Sequence, residues 1–522
     1  MKTSVGVLCA LTAVWASAAG GAGSAAAPSV DEAFQAYWDA ASVPAAATAA
    51  TAIVQSGVDF EAAFARLRTG RTYAADAPRG VQTLVRRTAA GDFPYTIDVP
   101  ATYDPAKRYQ VRVQLHGGVM RPDPAARGDG SIGAWAGAEQ IYVLPQAWAE
   151  AQWWAPPQAE NVPAILDRVK RTYNVDENRV VMSGVSDGGT AAFYVAMRDT
   201  TPYASFLPLN GFVLVLRNRD LMVRGALFPH NLTNKPFFVV NGGKDPLYPA
   251  ARVEPFLKQF QAGGLALTYL PQPDAVHNTA WWPEVKDAFE TFVRTHPRDP
   301  HPALLTWQTD DTATRNRAHW LVIDRLGNPR PGEALPDIND VRAGEEPNVG
   351  VRSVGMRVTS VTAGSNAQTF GFLPNDVVVR INGRDLPGAL ELTEFLGIYQ
   401  PGEALHFEVE RGRDTVDLKG TYQPTLMARV SPLFASGVPS GRVDLVRDGN
   451  TVRATTRGVA AFTLLLSPDV FDFARPITVV ADGTTVFNGL VQKSVETLVT
   501  WAARDNDRTM LYGAALQITP TP

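Results

Sequence analysis

The sequence predicts an α/β protein with a mostly parallel sheet, followed by strand-rich units. Between about residues 95 and 297, apolar strands alternate with helical stripes. Near-continuous apolar strands in such an alternation are typical of a parallel sheet covered on both faces. From about residue 440, short β-rich segments are separated by turns such as Asp448-Gly449-Asn450 and Asp482-Gly483, which predicts antiparallel hairpins. At 522 residues the chain is too long for one domain, so we expect several.

The charge pattern excludes two classes of partner. The chain carries 48 basic and 52 acidic residues, a formal net charge of -4, and the two signs are interspersed. Nucleic-acid-binding and membrane-surface proteins need a concentrated basic face. We therefore expect neither a nucleic-acid partner nor a basic membrane-binding patch.

Residues 1–27 have the pattern of a signal peptide. Lys2 precedes an apolar run over residues 5–15, and Ala25-Ala26-Ala27 offers a small-residue cleavage site before Pro28. An uncleaved anchor is the alternative. Cleavage would remove Cys9 and leave a mature chain with neither a cysteine nor a membrane span. The predicted location is the periplasm or the extracellular medium.

The remaining chain divides into five predicted segments. Residues 28–90 form a helical prefix, with Phe34, Tyr37 and Trp38 on one helix face, and we expect it to pack on the next domain. Residues 91–297 form the α/β domain. The others are 298–348 (a linker with two strands, then a Pro/Gly-rich loop), 349–422 (a compact unit) and 423–522 (a β-rich, sandwich-like region that runs to the end of the chain). We expect the strands before the compact unit to pair with those after it, which makes the unit an insertion.

A short stretch in the α/β domain carries the strongest functional signal. The apolar run Val180–Met182 leads into Gly184-Val185-Ser186-Asp187-Gly188, and an apolar helical pattern follows. Strand, sharp turn and helix form the context of a nucleophile elbow, in which flanking glycines relieve crowding around a strained serine. The sequence therefore predicts Ser186 as a nucleophile.

A serine nucleophile needs a base, and the base needs an acid that holds its tautomer. His277 follows the predicted strand over residues 265–270 and so lies at the carboxyl end of the sheet, where Ser186 lies. Asp245 follows the strand over residues 237–240 and reaches the same edge. Asp274 is an alternative acid, although its closeness to His277 in one loop favours a capping role.

The order Ser186, Asp245, His277 resembles the α/β-hydrolase family over about residues 91–297. More narrowly, the chain resembles secreted bacterial esterases of the polyhydroxybutyrate-depolymerase and feruloyl-esterase types, and the catalytic domain of prolyl-oligopeptidase-like enzymes. The resemblance implies a covalent acyl-enzyme. It also implies an oxyanion hole formed by backbone N–H groups of Asp187 and of Gly117 or Gly118, since His116-Gly117-Gly118 resembles the family's His-Gly-Gly loop.

Tryptophans near both catalytic loops are candidates for a substrate pocket. Trp153 and Trp154 follow the strand over residues 141–144, and Trp281 follows His277. Together with His116 they are predicted to line the pocket, with ordinary packing as the alternative. We predict no metal site, because the set His296, Asp299 and His301 lies in a proline-rich linker.

Residues 349–422 resemble a PDZ domain. The resemblance rests on Gly355–Val361, on Ala363-Gly364-Ser365-Asn366-Ala367 and on the run Gly371–Gly383. PDZ domains are small β-barrels that bind extended peptide ends by strand addition. The resemblance thus implies a peptide as a partner of this unit.

The sequence predicts an exported serine hydrolase that acts on small or polymeric carboxylic esters and needs no cofactor. Two alternatives stay open. One is a serine peptidase of the prolyl-oligopeptidase-like type, because the two chemistries share the triad. The other is a PDZ-containing binding or scaffold protein with a vestigial hydrolase domain.

Overall fold

The computed structural model describes residues 28–121, 132–218, 221, 223, 225–328, 340–386, 392–396, 399–434 and 438–520; for 340–348, 393–394 and 425–432 it describes the backbone only. The predicted signal peptide lies outside these residues. Within the described ranges, no helix is both long enough and apolar enough to cross a membrane.

The predicted helical prefix contains three short helices, α1 (Val30–Asp39), α2 (Val43–Gln55) and α3 (Phe60–Thr69). Each begins at a side-chain cap, at Ser29, Ser42 and Asp59, which satisfies amide groups left open at a helix start. Their apolar faces share one core with a distant helix, α10 (Val495–Asp505).

Two expectations are therefore corrected. The prefix buries its apolar residues mainly against the C-terminal region rather than on the domain that follows it. The C-terminal region is also not strand-rich to its end, because α10 interrupts it. The buried residues Leu498, Val499, Ala502 and Ala503 of α10 follow a helical spacing, and α2 and α3 lie against them.

An eight-stranded sheet forms the centre of the α/β unit. It comprises β1 (Gly80–Thr88), β2 (Gly91–Val99), β3 (Tyr109–Leu115), β4 (Ile141–Pro145), β5 (Val175–Val185), β6 (Ser205–Leu209), β7 (Phe237–Val239) and β8 (Leu267–Tyr269), in the order β1-β2-β4-β3-β5-β6-β7-β8. The strands from β4 to β8 are parallel, whereas β1 and β2 are antiparallel additions. The sheet thus begins at Gly80, before the predicted start of the domain at residue 91.

Helices cover both faces of the sheet. They are α4 (Pro156–Thr172), α5 (Asp187–Arg198), α6 (Ala250–Ala262) and α7 (Trp282–Thr295). Val180 and Met182 of β5 share a core with α4, α5 and α6, whereas Val181 shares a core with α7. This alternation along β5 explains its unbroken apolar run, because successive side chains point to opposite faces.

Two further sheets share one apolar core after residue 297. The first strands are β9 (Leu304–Thr309), β10 (Arg317–Ala318) and β11 (Leu321–Leu326). The later strands are β20 (Gly441–Asp448), β21 (Thr451–Arg457), β22 (Val459–Leu466), β23 (Ile477–Ala481), β24 (Thr484–Gly489) and β25 (Ala514–Ile518). Strand β9 pairs with β20, and β11 pairs with β22, so strands on either side of the intervening segment complete the same sheets.

The intervening segment begins and ends with a strand pair, β12 (Asp340–Asn348) with β19 (Thr425–Pro432). The predicted loop over 327–348 is therefore wrong for β12. Between these strands lies one sheet of β13 (Val351–Val354), β14 (Arg357–Val361), β15 (Val377–Ile381), β16 (Arg384–Asp385), β17 (Ala404–Arg411) and β18 (Asp414–Thr421). The helices α8 (Asn366–Phe370) and α9 (Leu392–Leu396) accompany it.

A buried ion pair joins the α/β unit to the C-terminal region. The guanidinium of Arg298 lies 2.7 Å from the carboxylate of Asp507, and both side chains are fully buried. Arg298 also donates to the side chain of Asn178 in β5. Burial raises the pKa of Asp507, but the charges of Arg298 and Lys170 outweigh it, so the pKa lies below its usual value. The charged form of Asp507 is therefore stabilised by its partners.

We expect Arg298→Met to destabilise the fold by about 3 kcal/mol, because it leaves a buried carboxylate without its closest cation. The loss is at the low end for a broken buried pair, since Lys170 remains 3.9 Å from Asp507. Urea unfolding followed by tryptophan fluorescence measures the effect. The control is Arg380→Met, which breaks exposed ion pairs and should cost less than about 1 kcal/mol. Equal effects of the two substitutions would contradict the prediction.

Candidate active site

Ser186 lies at the turn between β5 and α5, with φ 56° and ψ -116°. Few residues other than glycine adopt a positive φ, and such strain is common at functional sites. The turn is tight because its flanking residues are glycines. A Cβ on Gly184 would lie 2.1 Å from the carbonyl oxygen of Gly188, and a Cβ on Gly188 would lie 2.2 Å from that of Leu115. Side chains at these positions would force the turn apart.

The structure brings the three predicted triad residues together. The Nε2 atom of His277 lies 2.9 Å from Ser186 Oγ, and its Nδ1 atom lies 2.7 Å from Asp245 Oδ2. Because the carboxylate can only accept, Nδ1 carries the proton and Nε2 is left to accept from the serine hydroxyl. This is the arrangement in which an imidazole can take the serine's proton.

The carboxylate of Asp245 is fixed on both oxygens. Oδ2 accepts from His277, while Oδ1 accepts from the backbone N–H groups of Leu247 at 2.8 Å and Tyr248 at 3.0 Å. Its side chain is fully buried. The alternative acid, Asp274, instead forms an exposed ion pair with Lys244 at 2.7 Å. Asp245 is thus the carboxylate that contacts the imidazole.

The predicted oxyanion loop lies directly against the serine. A Cβ on Gly117 would lie 2.8 Å from Ser186 Cβ and 3.4 Å from Ser186 Oγ. Gly118 has φ +68°, a value that glycine adopts readily. The next residue, Val119, donates its backbone N–H to Asp187 Oδ2 at 3.0 Å. Gly117 therefore lies against the nucleophile, and the end of the loop is hydrogen-bonded to Asp187, the residue after Ser186.

His116 is bound into this loop through its ring. Its Nε2 accepts from the backbone N–H of Ala147 at 3.0 Å, so Nδ1 carries the proton and donates to the carbonyl of Gly117 at 2.9 Å. The indole of Trp153 packs on the ring and donates to the carbonyl of His116 at 2.9 Å. These contacts make both residues supports of the loop. Their predicted part in a substrate pocket stays a prediction.

The other predicted pocket tryptophans are also buried. Trp154 donates its indole N–H to the carbonyl of Leu221, and Trp281 packs edge-on against Trp135. Only 2% and 5% of their surfaces are exposed. Packing accounts for these contacts, and a pocket role for either residue stays a prediction.

Sequence reasoning missed two residues that hold the histidine loop. Asn210, directly after β6, has φ 48° and donates its side-chain amide to the carbonyl of Asn278 at 2.7 Å. Tyr248 packs edge-on against the ring of His277, with centroids 5.5 Å apart. Their positions in the sequence could have indicated both residues, since each follows a strand that ends at the same edge of the sheet as Ser186.

Among the residues whose positions are described, no three His, Cys, Asp or Glu side chains come together as metal ligands would. Of the linker set considered from the sequence, His301 is buried and lies 3.7 Å from the carboxylate of Asp469. His296 stacks on Phe292.

We expect Gly117→Ala to lower kcat about 100-fold, because the added methyl group would push the loop away from Ser186 and weaken the stabilisation of an oxyanion. Steady-state rates, corrected for active sites by fluorophosphonate titration, measure the effect. Gly489→Ala is the control, since Gly489, like Gly117, has no positive φ, and an added Cβ there would meet only the ring of Phe487 at an ordinary contact distance of 3.5 Å. If Gly117→Ala retains full kcat, the loop does not contribute to the reaction.

No protein-family model matches the chain, and no curated protein matches it. Among solved structures, a thermostable esterase shows 20% identity and a TM-score of 0.34, covering 42% of this chain and 63% of its own. A ferulic acid esterase shows 17% identity and a TM-score of 0.32, and the match covers 42% of this chain and 98% of the esterase. A Bacteroides ovatus protein assigned as a dipeptidyl aminopeptidase IV shows 14% identity and a TM-score of 0.34, and the match covers 42% of this chain and 36% of that protein. With identities of 14–20% and TM-scores of 0.32–0.34, these likenesses assign no activity to this chain.

Proposed function

We propose that the chain is an exported serine hydrolase that cleaves carboxylic esters through an acyl-enzyme intermediate. The observation that carries the proposal is the continuous hydrogen-bonded array from Ser186 Oγ through the imidazole of His277 to the buried carboxylate of Asp245. An imidazole that contacts a serine hydroxyl on one side and a carboxylate on the other is the arrangement that activates a serine for nucleophilic attack.

The first half-reaction forms the acyl-enzyme. Ser186 Oγ attacks the ester carbonyl carbon while its proton passes to His277 Nε2, and the carbonyl oxygen takes up the negative charge. Asp245 stabilises the imidazolium that results and keeps its ring in place. When the tetrahedral intermediate collapses, the C–O bond to the alcohol breaks. His277 then returns the proton to the departing oxygen.

The second half-reaction releases the acid. Water attacks the acyl carbon, His277 accepts its proton, and the acyl–Oγ bond breaks as the proton passes to the serine oxygen. In both halves the negative oxygen requires donors at close range. The proposed donors are the backbone N–H groups of Asp187 and of Gly117 or Gly118. The amino end of α5 adds a favourable dipole.

Two further features belong to the proposal. Export rests on the signal-peptide pattern of residues 1–27.

A peptide is proposed as the ligand of residues 349–422, which resemble a PDZ domain in sequence. Strand β13 lies at one edge of their sheet, and such an edge is where an added peptide strand would pair. The backbone N–H of Leu392, at the start of α9, donates to the carbonyl of Gly355, so α9 begins next to the end of β13.

Labelling with a fluorophosphonate tests the proposal. We expect one phosphonyl group per chain, on the tryptic peptide that holds Ser186, and none on heat-denatured protein. A panel of p-nitrophenyl esters beside proline and alanine anilides then separates the two chemistries. Ester turnover without anilide turnover supports the esterase. Preferred anilide turnover would make the chain a peptidase, and folded protein that neither labels nor turns over any substrate would refute a hydrolase.

A further inference from the structure

The carboxylate of Asp187 makes a contact that the reaction scheme above does not use. It accepts from the backbone N–H of Val119 at 3.0 Å. Asp187 belongs to the elbow, whereas Val119 belongs to the oxyanion loop, so the bond joins two segments that are 68 residues apart in sequence. From this geometry we infer that the Asp187 side chain is a positioning residue, which sets the spacing between the two halves of the oxyanion hole. The inference rests on the proposed function.

Two of the contacts that hold the loop lie on either side of Gly118. At one point the ring of His116 fixes the carbonyl of Gly117. At the other, Asp187 fixes the amide of Val119. Gly118 has a positive φ, and an unanchored glycine at such a position has many other conformations open to it. Removing the second anchor therefore weakens the hold on the peptide group between Gly118 and Val119.

The same residue contributes to both halves of the hole. The backbone N–H of Asp187 is the proposed donor from the elbow, and its carboxylate holds the loop that carries the other donor. An oxyanion needs its hydrogen-bond donors at about 2.7–3.1 Å, so small displacements of a donor weaken the stabilisation of the oxyanion. A side chain that ties the two donors together preserves this spacing without contacting the substrate.

A negative charge close to a developing oxyanion is unfavourable unless it is compensated. Asp187 is the first residue of α5, where the helix dipole favours an acidic side chain. A hydrogen bond from an amide to a carboxylate is also stronger than one between neutral groups. The position thus supplies a strong acceptor for the loop while part of its charge is offset.

Substitutions at Asp187 test the inference through the split between kcat and KM. We expect Asp187→Ala to lower kcat for p-nitrophenyl butyrate and the rate of fluorophosphonate labelling by about 30-fold each, a part of the 10²–10³ lost with a complete donor, while KM changes less than about threefold. Asp187→Asn keeps an acceptor oxygen, so its kcat and its labelling rate should each be at least about fivefold higher than those of Asp187→Ala. Glu284→Ala, which removes an exposed acid from the first turn of α7, should leave both rates unchanged.

Other outcomes overturn the inference. A lower melting temperature or a smaller titratable fraction, with unchanged kcat per titrated site, would show a purely structural role. Equal losses in Asp187→Ala and Asp187→Asn would show that the hydrogen-bond acceptor is not what matters. Failure of the wild-type protein to label or turn over any ester refutes the proposed function instead, so the two failures are distinguishable.

Discussion

Ser186→Ala is expected to lower ester hydrolysis by about 10⁶-fold and to abolish fluorophosphonate labelling, because Ser186 Oγ is the atom that forms the acyl bond in the proposed reaction. Loss of a triad nucleophile removes covalent catalysis entirely, and what remains comes from substrate binding and the oxyanion hole. The measurement is kcat for p-nitrophenyl esters, with intact-protein mass spectrometry for the label.

The fold should tolerate this substitution. Alanine removes only the hydroxyl group, and the positive φ of residue 186 is already sustained by the surrounding turn. Ser183→Ala is a matched control, since Ser183 lies three residues earlier in β5 and its hydroxyl donates to the carbonyl of Leu207. Residual labelling of Ser186→Ala at another serine would show that the nucleophile was wrongly assigned.

Asp245→Asn is expected to lower kcat by about 10⁴-fold, as loss of the correct histidine tautomer does in a triad. The backbone amides of Leu247 and Tyr248 hold one oxygen of the side chain. With its oxygen held there, the asparagine would direct its NH₂ group towards His277 Nδ1. The imidazole would then carry its proton on Nε2, facing Ser186, and could not accept the serine's proton.

Asp274→Asn is the control for this variant. Asp274 lies in the histidine loop, but its carboxylate pairs with Lys244 at the surface, so the activity should change less than about threefold. A large loss in Asp274→Asn together with a small one in Asp245→Asn would reverse the assignment of the acid. Raising the pH should restore little activity to Asp245→Asn, because its defect lies in the tautomer rather than in protonation of the ring.

The contacts of the triad were predictable because each residue follows its own strand. Ser186, Asp245 and His277 come after β5, β7 and β8, and the carboxyl ends of parallel strands meet at one edge. Local sequence around each strand was therefore enough to place the three together. The catalytic roles remain proposals that the experiments above test.

What the sequence missed depends on distant partners. Helix α10 contains β-branched residues such as Val495, Thr497 and Val499, which favour strands locally, but the buried face of α10 packs on α2 and α3. Strand β12 lies in a proline- and acid-rich stretch and exists as a partner of β19. The carboxylate contact of Asp187 was missed for the same reason, since Val119 is remote in sequence.

The pairing of β9 with β20 has a consequence for synthesis on the ribosome. Leu304 is paired with Val446, so at about 5–20 residues per second β9 emerges roughly 7–30 s before its neighbour exists. The delay is longer for the prefix helices, about 20–90 s, because α10 is made more than 400 residues later. Until then Phe34, Tyr37 and Ile53, which are buried in the finished protein, lack the part of their core that α10 supplies. Helices α1 to α3 are thus made early and covered late, and nascent chains that stop before residue 495 should be the ones that chaperones retain.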